Sequence, residues 1–429
     1  MTDPITRLNT ALEGRYAIER ELGEGGMATV YLAEDLRQYQ ISPSIYRPNS
    51  GLNAMKALAR FLTLNLLLGS GLPSKTSAQS RTFVATDRNT LGTAIERSAS
   101  LSFGDVDMDG DLDVVVANGR HWPEQNEVFF NTGTGVFLLS RPIGTDFASS
   151  YSIALADLDG DGDLDVAVGN DRVRKMIFLN DGAGYFSPAG SFGREASTRS
   201  LTLADLDGDG HTDILVTNRG QQNAIYFNDG RAGFERSEPF GSDDDSTIDV
   251  VAVDMDGDGD LDLVLANRDG QPNFVYLNDG DATFPDRIPF GTGSDETRGV
   301  AVADLNGDGL LDIVTANIGE ANGVHLNDGT GGFGESISFG RPEGESYTVA
   351  VVDMDLDGDV DIVIGNVGME NAVFFNDGSG RIFHEVRFGN PDHNTYGVAV
   401  GDLNGDGFPD IGVANSDGPN LVYLNRPGR

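Results

Sequence analysis

A nine-residue acidic pattern, Asp-x-Asp/Asn-x-Asp-Gly-x-x-Asp, recurs seven times, beginning at Asp105, Asp157, Asp205, Asp254, Asp304, Asp353 and Asp402. Successive copies lie 52, 48, 49, 50, 49 and 49 residues apart, a period that belongs to propeller blades or stacked arrays. Each copy sits between two apolar runs: Val300-Ala301-Val302-Ala303 leads into one, and Ile313-Val314-Thr315-Ala316 leaves it. A third run, such as Val275-Tyr276-Leu277, meets an Asn-Asp-Gly turn, and a weaker fourth closes with Phe-Gly. Short β-rich runs separated by turn residues read as a four-stranded antiparallel meander, so the chain is all-β.

The chemistry of the repeated turn points to calcium, a hard cation that takes six to eight oxygens. Alternate side chains of a tight loop converge on one point, and the glycine at the sixth position permits the bend because it tolerates positive φ. The candidate ligands are Asp105, Asp107, Asp109, Asp111 and Asp113 in the first loop, then Asp157, Asp159, Asp161, Asp163 and Asp165. The third and fourth loops offer Asp205, Asp207, Asp209, His211 and Asp213, and Asp254, Asp256, Asp258, Asp260 and Asp262. The last three offer Asp304, Asn306, Asp308, Leu310 and Asp312; Asp353, Asp355, Asp357, Asp359 and Asp361; and Asp402, Asn404, Asp406, Phe408 and Asp410. Because the seventh position includes His211, Leu310 and Phe408, its expected ligand is the backbone carbonyl. An EF-hand is excluded, since the twelfth positions are Val116, Val168, Val216, Leu265, Thr315, Ile364 and Val413 rather than Glu. About seven Ca2+ sites are expected, one per repeat, each worth roughly 1.4 kcal/mol at tenfold excess over its dissociation constant.

Composition agrees with this reading. Lys and Arg number 29 against 68 Asp and Glu, a net charge of −39 that excludes nucleic acid as a default partner. Cysteine is absent, which removes disulfides, thiolate zinc sites and thiol nucleophiles.

The acidic loops, with the pairs Phe192-Gly193, Phe240-Gly241, Phe290-Gly291, Phe339-Gly340 and Phe388-Gly389, resemble the FG-GAP and VCBS repeats of integrin-α-like calcium-binding β-propellers. The first two closures depart from that pattern, as Leu91-Gly92 and Ile143-Gly144. The last unit stops after its third run, Leu421-Val422-Tyr423-Leu424-Asn425, while Phe83 and Leu91-Gly92 form a spare fourth-run signature upstream of the first loop. Gly92 precedes Asp105 by 13 residues, as Gly340 precedes Asp353 and Gly389 precedes Asp402. The spacing predicts a seven-bladed propeller of four-stranded blades, closed by an N-terminal strand that completes the last blade and removes exposed edges.

Three segments are expected: residues 1–54, 55–80, and a propeller over 81–429. In the first, Gly23-Glu24-Gly25-Gly26-Met27-Ala28-Thr29-Val30 and its flanks resemble the glycine-rich opening of a bacterial serine/threonine protein kinase. No Val-Ala-Ile-Lys strand, His-Arg-Asp loop or Asp-Phe-Gly triplet accompanies it, so phosphoryl transfer has no residues to carry it. Residues 55–80 have Lys56 and Arg60, an apolar stretch from Phe61 to Leu72, and small residues before Gln79. That is the layout of a secretory signal peptide, too short for a stable membrane span. A secreted or cell-surface, bacterial-type, monomeric protein is expected.

The loops opposite the acidic turns vary most among the units and form the expected binding face. Gly119-Arg120-His121-Trp122 contains the only Trp, which either stacks on a sugar or packs on a neighbouring blade. Tyr151, Arg199, Arg298, Tyr347 and Tyr396 each stand six residues before a loop and should ring the mouth of the central channel, as ligand contacts or as packed edge residues. The asparagines that follow the second run, Asn118 and its counterparts, are expected to cap turns. The function expected is a binding or adhesion module for an extracellular carbohydrate or protein. The alternative is an enzyme of the polysaccharide lyase or sugar dehydratase type, with His121, Tyr151, His393 and Tyr396 as the available acid–base groups.

Overall fold

The computed structural model describes residues 80–145, 147–334 and 336–428, together with the backbone of the strands Tyr16–Gly25 and Ala28–Asp35. The chain divides into two compact units, 1–74 and 75–429. In the first, the two strands pair antiparallel from Tyr16 opposite Asp35 to Gly25 opposite Ala28, so the kinase-like stretch is a β-hairpin. The signal-like residues 55–79 lie outside the described residues.

The second unit is a ring of meanders. Five four-stranded antiparallel sheets follow one another in chain order, beginning at Ser150, Thr198, Thr247, Thr297 and Ser346. The remaining strands make one composite sheet that resolves into two blades. Thr90–Gly104 pairs through Ser98–Gly104 with Asp113–Asn118, and through its earlier half with Ser416–Leu421. Asp410–Pro427 pairs first with Asn394–Gly401, and its far end carries Arg81–Val84, with Phe83 opposite Asn425 and Leu91 opposite Asn420. The N-terminal strand thus completes the last of seven blades, as its spacing predicts. The seven innermost strands each neighbour the next, and Asn394–Gly401 returns to Thr90–Gly104 to close the circle.

Burial explains the sequence pattern of each blade. The second strands, such as Asp113–Asn118 and Asp312–Asn317, are buried throughout because adjacent blades cover both faces, and so they read as unbroken apolar runs rather than alternating ones. In the five four-stranded sheets the fourth strands face solvent except at their last residue; in Arg236–Phe240 only Phe240 is buried. That residue packs on the next blade: Phe192 meets Tyr226 edge-on at 5.3 Å between ring centroids, and Phe388 meets Tyr423 at 5.0 Å. Leu91 and Ile143, the two departures from Phe, are just as buried. Gly193, at φ +65°, shows why glycine follows: a Cβ there would stand 2.7 Å from the Tyr226 hydroxyl.

Candidate functional site

All seven acidic loops fold alike around their first Asp. Asp105 accepts the Asp109 and Gly110 N–H groups at 3.1 and 3.0 Å, and Asp402 accepts those of Gly405, Asp406 and Gly407. The sixth-position glycines all have positive φ, from +86° at Gly309 to +103° at Gly259, as the turn requires. The loop shape therefore comes chiefly from backbone donors closing on the first carboxylate, with the fifth accepting one more N–H, as Asp109 does from Asp111, and the remaining carboxylate oxygens are left to converge.

Converge they do in five loops. Oxygens of Asp105, Asp107 and Asp113 lie within 4.8 Å of one another, as do the corresponding three in the loops starting at Asp157, Asp205 and Asp254. In the loop starting at Asp353 the close set is Asp353, Asp355 and Asp357. The Oδ1 atoms of Asp107, Asp163, Asp207 and Asp355 are buried without a hydrogen-bond partner. Burial, reinforced by the neighbouring carboxylates, pushes Asp163 and Asp355 up to about 6. An all-oxygen donor set with orphaned buried carboxylate atoms fits a hard divalent cation. The loops with Asn differ: Asn306 donates to Asp308 at 2.9 Å, and Asn404 donates to Asp410 at 2.7 Å, so an amide already occupies a carboxylate there.

The ninth-position Asp does more than the ligand reading assigns it. Asp213 accepts the Leu206 N–H from its own loop and the Asn228 N–H at the end of the third strand, both at 2.9 Å. Each of the seven makes the same two bonds, down to Asp410 with Leu403 and Asn425. The Asn in turn stitches blades together. Asn180 donates to the Val106 carbonyl of the preceding blade at 2.7 Å, and Asn131 donates to that of Leu403, which bridges first and last blades at 2.8 Å. The Asn-Asp-Gly turns therefore share a face with the acidic loops.

On the opposite face a second girdle runs round the ring. Asn218 donates to the Gln222 carbonyl and accepts from Thr198, which supports its expected capping role. Its partner Asn223, opening the third strand, reaches Thr247 of the next blade at 2.9 Å, and Asn420 reaches Ser98 across the closure at 2.8 Å. Sequence reasoning missed this second Asn, although its recurrence at the start of the third runs is visible. Lys175 replaces it in one blade, fully buried, donating to the Arg194 carbonyl at 2.6 Å and pushed down to about 8 by that burial.

The position six residues before each loop is special in all seven blades. The register shifts between Ser98 and Ser100, Ser150 and Ser152, Thr198 and Ser200, and likewise in the other four. The extra residue of each bulge is Ala99, Tyr151, Arg199, Ile248, Arg298, Tyr347 or Tyr396, and a bulge of this kind redirects a side chain. The five polar candidates fall into two contacting groups. Arg298 lies 5.5 Å from the Tyr347 ring, Tyr347 meets Tyr396 edge-on at 4.8 Å, and Arg199 stands 4.5 Å from the Tyr151 ring.

Arg120 and His121 join the two groups. Their loop belongs to the blade whose bulge residue is the small Ala99, and they bridge the blades on either side. The Arg120 guanidinium lies 3.5 Å over Tyr396, and His121 Nδ1 is 2.8 Å from the Tyr151 hydroxyl. The loop is forced into place: a Cβ on Gly119 would stand 2.3 Å from the Ala148 carbonyl, and His121 itself has φ +73°. Burial, with Arg120 and Arg199 next, lowers the His121 pKa and so favours the neutral imidazole. Trp122 is exposed and outside this ring, while His393 stands apart, beside Asn390 and Gly418.

Comparison with known proteins agrees with this architecture. No curated protein matches the chain. Among solved structures, BBS1N in complex with ARL6DN, soaked with lead, superposes with a TM-score of 0.55 at 11% identity, covering 81% of this chain and 97% of that one. The mercury-soaked form of that complex gives 0.55 at 10% identity over the same shares. At this identity the likeness is one of fold. The FG-GAP-like repeat matches residues 105–168, 167–216, 205–265, 254–315, 304–364 and 353–413. Those segments run without a gap from the first acidic loop to the last, and the chain belongs to the FG-GAP-like repeat family.

Proposed function

We propose that this protein is an exported binding module: a propeller whose acidic loops hold Ca2+ on one face and whose opposite face takes a carbohydrate or protein ligand. The observation that carries the calcium reading is the set of buried loop oxygens without partners, on Asp107, Asp163, Asp207 and Asp355. Bound calcium would supply the charge that lets those carboxylates stay ionised together. The ligand ascribed to the opposite face follows from the clustering of Arg120, His121, Tyr151, Arg199, Arg298, Tyr347 and Tyr396 there, beside the exposed Trp122. Export rests on the signal-like residues 55–80, and the kinase-like hairpin is assigned no activity. Among the described residues no helix is long and apolar enough to cross a membrane.

Glycan and protein arrays probed with the calcium-loaded protein test this reading. Specific capture that is lost in Arg120→Ala or Trp122→Ala supports it, and capture unchanged by both variants contradicts the face assignment. A second reading, acid–base catalysis on a sugar, is favoured by the His121–Tyr151 hydrogen bond, a pairing invisible in the sequence. Turnover of uronate-containing or keto-sugar substrates, abolished by His121→Ala or Tyr396→Phe, would establish it.

A further inference from the structure

We propose that the axial mouth is a recognition site for a compact oxyanion, a carboxylate or a sulfate- or phosphate-like group, held between Arg120 and Arg298. This narrows the proposed ligand face to one site and one chemical class, and it rests on that assignment of faces.

Three guanidinium groups, Arg120, Arg199 and Arg298, are brought onto one ring in a chain whose net charge is −39. Arg199 has a counterion, Asp171, at 2.9 Å. Arg120 and Arg298 have no ion pair among the described residues, and Arg120 Nε is buried with no hydrogen-bond partner. The Asp249 carboxylate acts on Arg298 without pairing with it, and accepts the Val250 and Val300 N–H groups at 3.1 and 3.3 Å. Folding therefore gathers like charges at partly buried positions and leaves Arg120 and Arg298 without a direct ion pair among the described residues. Their fixed environment, Tyr396 under Arg120 and Tyr347 beside Arg298, holds the planar donors in place without using up their N–H groups on acids. Guanidinium groups so held match the geometry of carboxylate and tetrahedral oxyanions.

Three built features speak against incidental packing. A bulge in every blade turns the key residue toward the axis. Ala99 at one bulge is small where its counterparts are large. The Gly119–His121 turn, with its positive-φ histidine, carries Arg120 to the vacated sector. The rest of the surface sets the size of the ligand: a long polyanion would meet the repulsion of the −39 charge, whereas a small anion or a single terminal group need only reach the axis.

The test is calorimetric titration of the full chain, in calcium and at low ionic strength, with sodium sulfate, sodium galacturonate and, as neutral control, glucose. The expected result is one site for sulfate, galacturonate or both, with none for glucose; which anion binds identifies the source of the oxyanion. Affinity should fall with added salt and at least tenfold in Arg120→Gln and Arg298→Gln, but not in Arg287→Gln on a fourth strand. Melting curves in calcium confirm that each variant is folded, and Arg120→Gln, on a loop, serves if Arg298→Gln is not. Absence of binding by both anions, or equal binding by wild type and Arg120→Gln, overturns the proposal. Anion binding alongside a failed array screen would keep this site and remove the macromolecular ligand; the reverse outcome would do the opposite.

Discussion

Within each loop, neighbouring carboxylates have opposite physical roles. Asp213 is held by two backbone N–H groups and belongs to the frame, whereas Asp207 leaves a buried oxygen unpartnered. In chelator, Asp213→Asn is expected to destabilise by about 1–3 kcal/mol in urea denaturation, the scale of a buried acceptor turned into a mismatched donor. Asp207 also pairs with Arg236 at 2.7 Å, so the cleaner test is its counterpart Asp107, which has no ion pair among the described residues: Asp107→Asn should be neutral or stabilising there, because it removes one of the crowded charges. Strain gives a second sign test. Leu356 occupies the fourth loop position at φ +59° and is 48% exposed, where five other loops have glycine. Leu356→Gly should raise the melting temperature, since a left-handed residue costs roughly 1–2 kcal/mol and the added chain freedom of glycine costs somewhat less. Protonation gives a third. Burial pushes Asp113 and Asp361 up to about 7 and Asp213 and Asp410 up to about 6. Folded pKa values above the unfolded ones mean stability that is present below about pH 4 and lost as pH rises through 6 to 7. Metal-free protein should therefore melt at a higher temperature at pH 5 than at pH 8.

At the level of strands and loops, legibility followed repetition. The acidic turns, the apolar second strands and the Asn caps could be read because each recurs at a fixed offset and each has a local physical cause. The bulges could not, because one extra residue breaks alternation only once, and the innermost strands alternate too weakly for a single break to show. Tyr151 and Arg199 were placed near the axis from spacing alone, but their contact with each other and with His121 depends on that hidden bulge. The approach of Arg120 to Tyr396 depends further on Ala99 being small, a relation between blades that no single repeat contains. The clasp made by the ninth Asp escaped for a different reason: a carboxylate that holds two N–H groups and one that faces a cation are the same letter in the same motif.

Closure is the property that makes seven blades one molecule. Arg81, nearly fully buried, stacks 3.7 Å over Phe408 and donates to Asn425 Oδ1 at 2.7 Å. In other blades that Asn oxygen accepts from its own turn, as Asn180 does from Asp181 and Gly184. The last blade has no such turn, because its fourth strand arrives from the other end of the chain, and Arg81 supplies the missing donor. Arg81→Met should cost about 1.5–3 kcal/mol, the range for a hydrogen bond to a charged group, and should raise amide exchange first in Arg81–Val84 and Leu424–Pro427. Val84→Thr, at the exposed end of the same strand, should leave both unchanged. Above closure stands the claim that divalent cations hold the ring of loops, and it is tested most directly by following the melting temperature of the whole chain through calcium titration after exhaustive chelation. A large fall on chelation and a saturable recovery with calcium that magnesium does not match are expected; a melting temperature indifferent to both would contradict a structural role for the cation.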